Sequence, residues 1–218
     1  MSSFTELAAA PDPPLDALAL ALAGEFRSVD SPRALATLET LGIELSRVAD
    51  RTARRPEAQA RACADVLGGG HGFTGERERY DHPDKSMLDM VLERRRGLPI
   101  LLSVVYVEVA RRAGVPLVGV GLPGHFVVGH LGGDAPVLID PFAGGKPIQV
   151  DVASELVRPW PAHEISMRML NNLLASFQRR GDLGAALRAA DMRLALATEE
   201  RQREALRADL RALQARLN

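Results

Sequence analysis

The sequence predicts an α+β fold, in which one apolar central helix packs on a small antiparallel sheet between N-terminal helices and a C-terminal helical hairpin. Residues 11–70 are rich in Ala, Leu and charged side chains, with leucines at helical spacing. Ile100 to Ala113 then reads as a strongly apolar helix with Pro99 in its first turn. Three β-branched segments separated by Gly and Pro follow as an antiparallel meander, namely Pro116 to Leu122, His125 to Leu131 and Pro136 to Phe142.

The first part of the chain is expected to be wholly helical. Ser31 followed by Pro32 is a cap and first-turn pair that opens one helix, and another is predicted to start at Pro56. That helix is expected to end near Leu67, because Gly68–Gly70 supply the backbone freedom that finishes a helix. The glycine run follows a helix and lacks a Gly-Lys-Ser/Thr ending, so it does not predict a nucleotide site.

Composition limits the classes of function. The 218 residues include 27 Lys and Arg against 28 Asp and Glu, and the formal charge of -1 gives no field that would gather nucleic acid or an anionic membrane. Apolar stretches such as Ile100 to Val107 are far shorter than the roughly 20 residues that cross a bilayer. Met1 to Ala10 does not read as a secretion signal, and the single Cys63 cannot form an internal disulfide. We therefore expect a cytoplasmic protein with neither nucleic-acid nor membrane partners.

The pattern returns to helices beyond Trp160, with predicted helices at Ser166 to Arg180, Leu183 to Ala197 and Glu199 to Leu217. Gly181-Asp182 makes the tight turn of the predicted hairpin. A repeat array normally needs about three units to bury its faces, so this tail is expected to rest on the central domain or on a partner chain.

Several segments together resemble a known family. They are Gly72 to Glu76, Tyr80-Asp81, Leu92 to Pro99, Pro123 to Phe126 and Ile139 to Gly145. The chain resembles the transglutaminase-like (papain-type) domains and, among them, the bacterial SirB-type proteins, which join this domain to a tetratricopeptide-like tail. The tail matches through Arg168 to Leu173 and Gly181 to Leu183, whereas Lys85 stands where an asparagine is common. The composition along the chain predicts an N-terminal helical region at 1–70, and the resemblance implies a transglutaminase-like core at 71–160 and a tetratricopeptide-like tail at 161–218.

By this resemblance, His125 takes the imidazole position of the family's active site and Asp140 the carboxylate position. An active member needs a thiolate at a helix start, an imidazole to take its proton and a carboxylate to orient the imidazole. Because His125 begins one predicted strand and Asp140 ends another, antiparallel pairing could bring them side by side.

The third part of the site is missing when the central helix is threaded onto the family without gaps. Such enzymes place Gly-X-Cys just ahead of this helix and Arg-X-X-Gly-X-Pro after it. Arg111, Gly114 and Pro116 match the second motif, and counting back to Gly97 puts Pro99 at the cysteine position. Proline has no nucleophile, so the family's usual chemistry is predicted to be absent.

The residues themselves leave alternatives open at each position. Ser103, one turn deeper than Pro99 on the same helix face, could substitute as nucleophile, although one turn displaces the backbone by about 5.4 Å. Its hydroxyl could instead bond a carbonyl of the preceding turn. His125 fits either a core position or a binding cleft, and Asp140 either pairs with it or caps the turn at Phe142 to Gly145.

No metal or cofactor site is predicted. His125 and His130 lie close in sequence, but their odd spacing sends the two imidazoles to opposite faces of an extended strand. The other potential ligands lack metal-binding spacing.

Two functions of different class therefore remain open. The first is a non-catalytic binding or regulatory module, in which a remnant cleft lined by Pro99, His125 and Asp140 holds a peptide or protein partner. The second is an acyl-transfer enzyme or hydrolase that uses Ser103 as nucleophile, His125 as general base and Asp140 as orienter. The sequence leaves the identity of the partner and the oligomeric state open.

Overall fold

The computed structural model describes residues 2–76, 78, 82–150, 154–197 and 199–215, and it confirms the α+β class. Tyr80 and Asp81, which belong to the family-like segments, lie outside the described residues, as does the expected end of the last helix at Leu217.

The nine α-helices of the described residues are distributed along the whole chain. Those of the N-terminal part are α1 (Phe4–Ala8), α2 (Leu15–Gly24), α3 (Ser31–Ala49) and α4 (Pro56–Cys63). The core contains α5 (Leu88–Arg94) and α6 (Pro99–Arg112), and the tail contains α7 (Ala162–Arg180), α8 (Leu183–Leu196) and α9 (Glu200–Gln214). No helix in the described part of the chain is long and apolar enough to cross a membrane.

The strands form two small sheets. A parallel pair joins β1 (Thr74–Gly75) to β2 (Arg96–Gly97). The main sheet has the order β3-β4-β5-β6, is antiparallel throughout, and comprises β3 (Leu117–Leu122), β4 (His125–His130), β5 (Val137–Asp140) and β6 (Lys146–Ile148). The predicted meander is thus confirmed, and β6 extends it by a fourth strand that was not predicted. Its central residue is Pro147, which the edge of a sheet tolerates because no further strand needs its missing N–H.

The central helix α6 is enclosed between the main sheet and the surrounding helices. Pro99 is its first residue, where the missing N–H is not needed, and Gly114 with φ 70° follows its end. Side chains from Ile100 to Ala110 are almost all buried in one continuous core. That core also includes Phe126 and Val128 of β4, while Val127 lies in a second apolar cluster with Leu122 and Leu138.

The predicted end of the third helix at Leu67 is wrong. The chain continues without a break from α4 into a π-helix, Ala64–Gly70, which contains the whole glycine run. A Cβ at Gly68 would lie 2.0 Å from the carbonyl oxygen of Gly144. The glycine is therefore needed for close packing of the helical backbone against that turn, and not for ending the helix.

A buried ion-pair network ties the N-terminal helices to α6. Arg112 pairs with Asp16 of α2, with Glu108 of α6 at 2.7 Å and with Glu39 of α3 at 3.4 Å. Arg111 adds a second guanidinium, 2.8 Å from Glu108. Burial acts to lower the pKa of Arg112, but its hydrogen bonds with Asp16 and Glu108 outweigh burial and raise that pKa. The charged form is thus held inside the protein.

The tail rests on the core, as expected. Ile165, Met169 and Leu173 of α7 belong to the same apolar cluster as α6. Gly181 ends α7 in the left-handed conformation, and Asp182 caps α8 by accepting a hydrogen bond from the Ala185 N–H at 3.0 Å.

We predict that Asp16→Ala lowers the free energy of unfolding by about 3 kcal/mol, because Arg112 stays buried and loses a partner. The measurement is urea-induced unfolding followed by circular dichroism. Asp12→Ala is the matched control, since Asp12 is exposed and lies near the start of the same helix. Equal midpoints for the two variants would show that the network contributes nothing to stability.

Candidate functional site

The structure brings His125 and Asp140 into direct contact. His125 opens β4 immediately after Gly124, which has φ 70°, and Asp140 ends β5. The pairing of Val128 with Ile139 continues the register so that His125 and Asp140 stand diagonally on the same face of the sheet. His125 Nε2 lies 3.0 Å from Asp140 Oδ2, and their side chains are 32% and 13% exposed. The imidazole is thus oriented by the carboxylate and still open to solvent.

Asp140 has a second, structural contact. Its Oδ1 accepts a hydrogen bond at 2.9 Å from the N–H of Phe142, which caps the 3-10 turn Pro141–Ala143. Asp140 therefore both pairs with His125, through Oδ2, and caps the turn, through Oδ1.

Phe142 links this pair to the segment that precedes α6. Its ring stands edge-on to the His125 imidazole, with 6.5 Å between ring centroids. Its carbonyl accepts a hydrogen bond from the Thr74 hydroxyl at 3.0 Å, and a Cβ at Gly75 would lie 2.2 Å from the phenyl ring. Gly75 pairs with Gly97, two residues ahead of Pro99. We call His125, Asp140, Phe142 and Gly75 the His125 site.

The backbone of His125 is fixed from the tail. Arg168 of α7 donates a hydrogen bond to the His125 carbonyl at 2.9 Å, while its guanidinium lies over the rings of Phe126 and Trp160 at 5.4 and 5.6 Å. Arg168 belongs to a family-like segment of the tail, but its contact with His125 is not predictable from the sequence pattern. The position of the site thus depends on how α7 packs.

Lys85 is a further residue whose placement the sequence did not reveal. Its side chain is only 8% exposed, and Nζ lies 2.9 Å from Glu76 Oε2. Its backbone carbonyl accepts a hydrogen bond at 3.1 Å from Leu98, the residue before α6. The one available signal was that lysine stands where the family commonly has asparagine.

Ser103 does not join the His125–Asp140 pair. Its side chain is fully buried, and its hydroxyl has no hydrogen-bond partner among the described residues. The expected hydrogen bond to a carbonyl of the preceding turn is therefore wrong. A general base must lie within hydrogen-bond reach to activate a serine, and no imidazole does so here.

Burial keeps two groups, the Cys63 thiol and the Tyr106 hydroxyl, in their protonated and neutral forms. Burial raises the pKa of Cys63 to about 12, so its thiol is not a nucleophile near neutral pH. Burial also raises the pKa of Tyr106, and the negative charges of Cys63 and Asp140 act in the same direction. The Tyr106 hydroxyl lies 3.0 Å from the Cβ positions that side chains at Gly68 and Gly145 would occupy.

His130 has partners of its own. Its Nε2 lies 2.9 Å from Gln59 Oε1 in α4, and its Nδ1 accepts a hydrogen bond from the Gly132 N–H at 3.3 Å. Burial lowers its pKa, opposed by the negative charge of Glu57. In the described ranges, no three His, Cys, Asp or Glu side chains come together in a way that could hold a metal ion.

Comparison with known proteins gives one family. A family model described as the transglutaminase-like superfamily matches residues 32–181. A UPF0162 protein of Xylella fastidiosa is 38% identical over 154 residues, which cover 62% of this chain and 54% of that protein. The UPF0162 protein of Vibrio cholerae is 34% identical over 74 residues, covering 34% of this chain and 27% of the relative.

A eukaryotic protein is also similar. The human F-box only protein 21 is 32% identical over 126 residues, which cover 50% of this chain and 20% of that protein. The chain spans about half the length of the Xylella relatives. No solved structure matches.

Proposed function

The chain belongs to the transglutaminase-like superfamily, and we propose that it is a non-catalytic member that uses the His125 site to hold a peptide or protein partner in a regulatory role. The observation that carries the proposal is the residue at the start of the central helix. Pro99 is the first residue of α6 and directly follows Gly97-Leu98. In the ungapped register it occupies the nucleophile position, and its ring offers neither a thiol nor an acidic proton.

The retained polar pair supports a binding role. An imidazole that is oriented by a carboxylate and one-third exposed can donate to or accept from a peptide group without any bond being broken. The edge of Phe142 adds an apolar contact beside it. Function in this proposal follows from the side chains of the site and not from the fold.

The finer family assignment is part of the same proposal. We assign the chain to the SirB-type group and α7 to α9 to a tetratricopeptide-like unit, on the family-like segments at Arg168 to Leu173 and Gly181 to Leu183. Three helices packed on the core leave the outer face of the tail as a further surface for the partner. The cytoplasmic location stays a prediction of the sequence.

Activity from Ser103, His125 and Asp140 is the competing function, and the contacts of Ser103 oppose it. Its hydroxyl is buried and has no partner among the described residues. We predict that a fluorophosphonate probe labels purified wild-type protein no more than Ser103→Ala. Labelling that disappears in Ser103→Ala would establish the enzyme and overturn the binding proposal.

The register of α6 can be tested by restoring the missing thiol. We predict that Pro99→Cys introduces a thiol with a pKa clearly below the ordinary value of about 8.5, since it would stand at a helix N-terminus beside an imidazole. The pH dependence of alkylation by iodoacetamide measures this pKa. Wild-type protein is the background control, because its one thiol has a pKa of about 12.

A double variant separates the effect of the helix N-terminus on the thiol pKa from the effect of the imidazole. Pro99→Cys with His125→Ala keeps the helix N-terminus and removes the imidazole, so its thiol pKa should rise by about one unit relative to the single variant. Identical pKa values in the two variants would show that the introduced sulfur is not beside His125, and the assignment of Pro99 would be wrong.

The binding role itself is tested by capture from cell extract on three baits, namely the wild-type protein, Asp140→Asn and Glu204→Gln. Asp140→Asn keeps an oxygen for the Phe142 N–H but removes the charge that pairs with His125. A partner that depends on the oriented imidazole should be recovered about tenfold less on this bait, the loss expected for one charge-assisted hydrogen bond. Glu204→Gln, an exposed change on α9, is the control and should retain it. Equal recovery on all three baits would contradict a binding role for the His125 site.

A further inference from the structure

A large cavity lies at the junction of the N-terminal helices, the sheet and the tail, and shares no residue with the His125 site. Its volume is about 900 Å³, within the range of sites that hold small ligands or peptide side chains. Its walls come from the start of α2, from α3, from the end of α6, from β3 and from the segment that begins α7. It is therefore built by all three stretches of the chain.

The floor of the cavity is the buried ion-pair network. Glu108 lines it with a side chain that is only 3% exposed, and all of its side-chain hydrogen bonds use Oε2, to Arg111 and Arg112. Among the described residues, Oε1 accepts no hydrogen bond. Because Glu108 lines the cavity, Oε1 is available to accept a hydrogen bond from a donor placed there.

The cavity carries an excess of negative charge. Its lining includes the carboxylates of Asp12, Asp16, Glu39 and Glu108 against the guanidinium groups of Arg111 and Arg112. The two arginines are matched by Asp16 and Glu108 within the network. Glu39 is 63% exposed at 3.4 Å from Arg112, and Asp12 forms no ion pair within the described part of the chain. A cation at the mouth would thus meet Asp12, which has no ion-pair partner in the described part of the chain, and the exposed Glu39, which it would share with Arg112.

The remaining walls are apolar. Leu35, Val107, Val118 and Ile165 surround the charged floor, and Trp160 closes one side. An occupant therefore needs a positively charged donor next to aliphatic carbon, and an arginine or lysine beside an aliphatic residue in a peptide has both.

We propose that this cavity binds a basic peptide segment, with the cationic head between Glu108, Glu39 and Asp12 and an adjacent aliphatic side chain against Val107 and Val118. This goes beyond the role of the His125 site. The two proposals fail independently, because none of the variants used below touches His125 or Asp140.

Trp160 provides the measurement, since it is the only tryptophan of the chain and lines the cavity. The full chain is titrated with an acetylated and amidated peptide, Gly-Leu-Arg-Val-Gly, and with the same peptide carrying glutamate in place of arginine. The arginine peptide should shift the Trp160 emission saturably, and the glutamate peptide should not. Equal responses to the two peptides, or no response to either, would overturn the proposal.

Matched variants place the binding in this cavity. Glu39→Gln removes a largely exposed charge and should weaken binding about two- to fivefold, as expected for a solvent-accessible ion pair. Ala36→Phe fills the mouth from an exposed position of α3 and should weaken it further. Glu204→Gln on α9 should leave the affinity unchanged. If Glu39→Gln binds as wild type does, or if Glu204→Gln weakens binding equally, the peptide is held elsewhere and the assignment is wrong.

Discussion

The burial of α6 on every side is the constraint on which the rest of the structure depends. Tyr106, Val105 and Leu101 of this helix are wholly shielded from solvent, so each turn of α6 needs a packed neighbour. The sheet covers one side, the N-terminal helices cover another, and α7 completes the enclosure. Without α6, the sheet and the surrounding helices would each leave the apolar face that now packs on α6 exposed to solvent.

The two ends of α6 are fixed by different physics. At its C-terminal end, Arg112 is held by carboxylates from three helices, and Gly42 of α3 gives its side chain room, since a Cβ there would lie 2.5 Å from the Arg112 Cβ. At its N-terminal end there is no side-chain cap. The start of the helix is defined by Pro99 and by the hydrogen bond from Leu98 to Lys85, together with the pairing of Gly97 and Gly75. The ion pairs at the C-terminal end stabilise the fold, while the contacts at the N-terminal end fix where the helix begins.

Local sequence patterns predicted most helices and strands. The features that they missed depend on contacts between residues far apart in the chain. The apolar run after Pro99 and the β-branched segments gave α6 and the meander, because both follow from periodicity. The contact of His125 with Asp140 followed from strand pairing. The network between Asp16 and Arg112 joins residues 96 positions apart, and no local pattern encodes such a pair. The π-helix was missed for the same reason, since Gly68 is required by close packing against the backbone of Gly144 and not by its neighbours in sequence.

The double role of Asp140 limits what its presence can mean. One oxygen caps the turn at Phe142 and the other orients His125, so the residue is useful to the fold whether or not a nucleophile stands nearby. A cysteine at the start of α6 has no comparable structural use, whereas proline stabilises that position by fixing φ and lacking an N–H that the helix cannot bond. If Pro99 stands at the nucleophile position, as we propose, loss of the nucleophile with retention of the pair is the outcome expected where selection acts on the shape of the site and no longer on acyl transfer. The proposed binding role asks of the oriented imidazole only that it form a hydrogen bond with the partner.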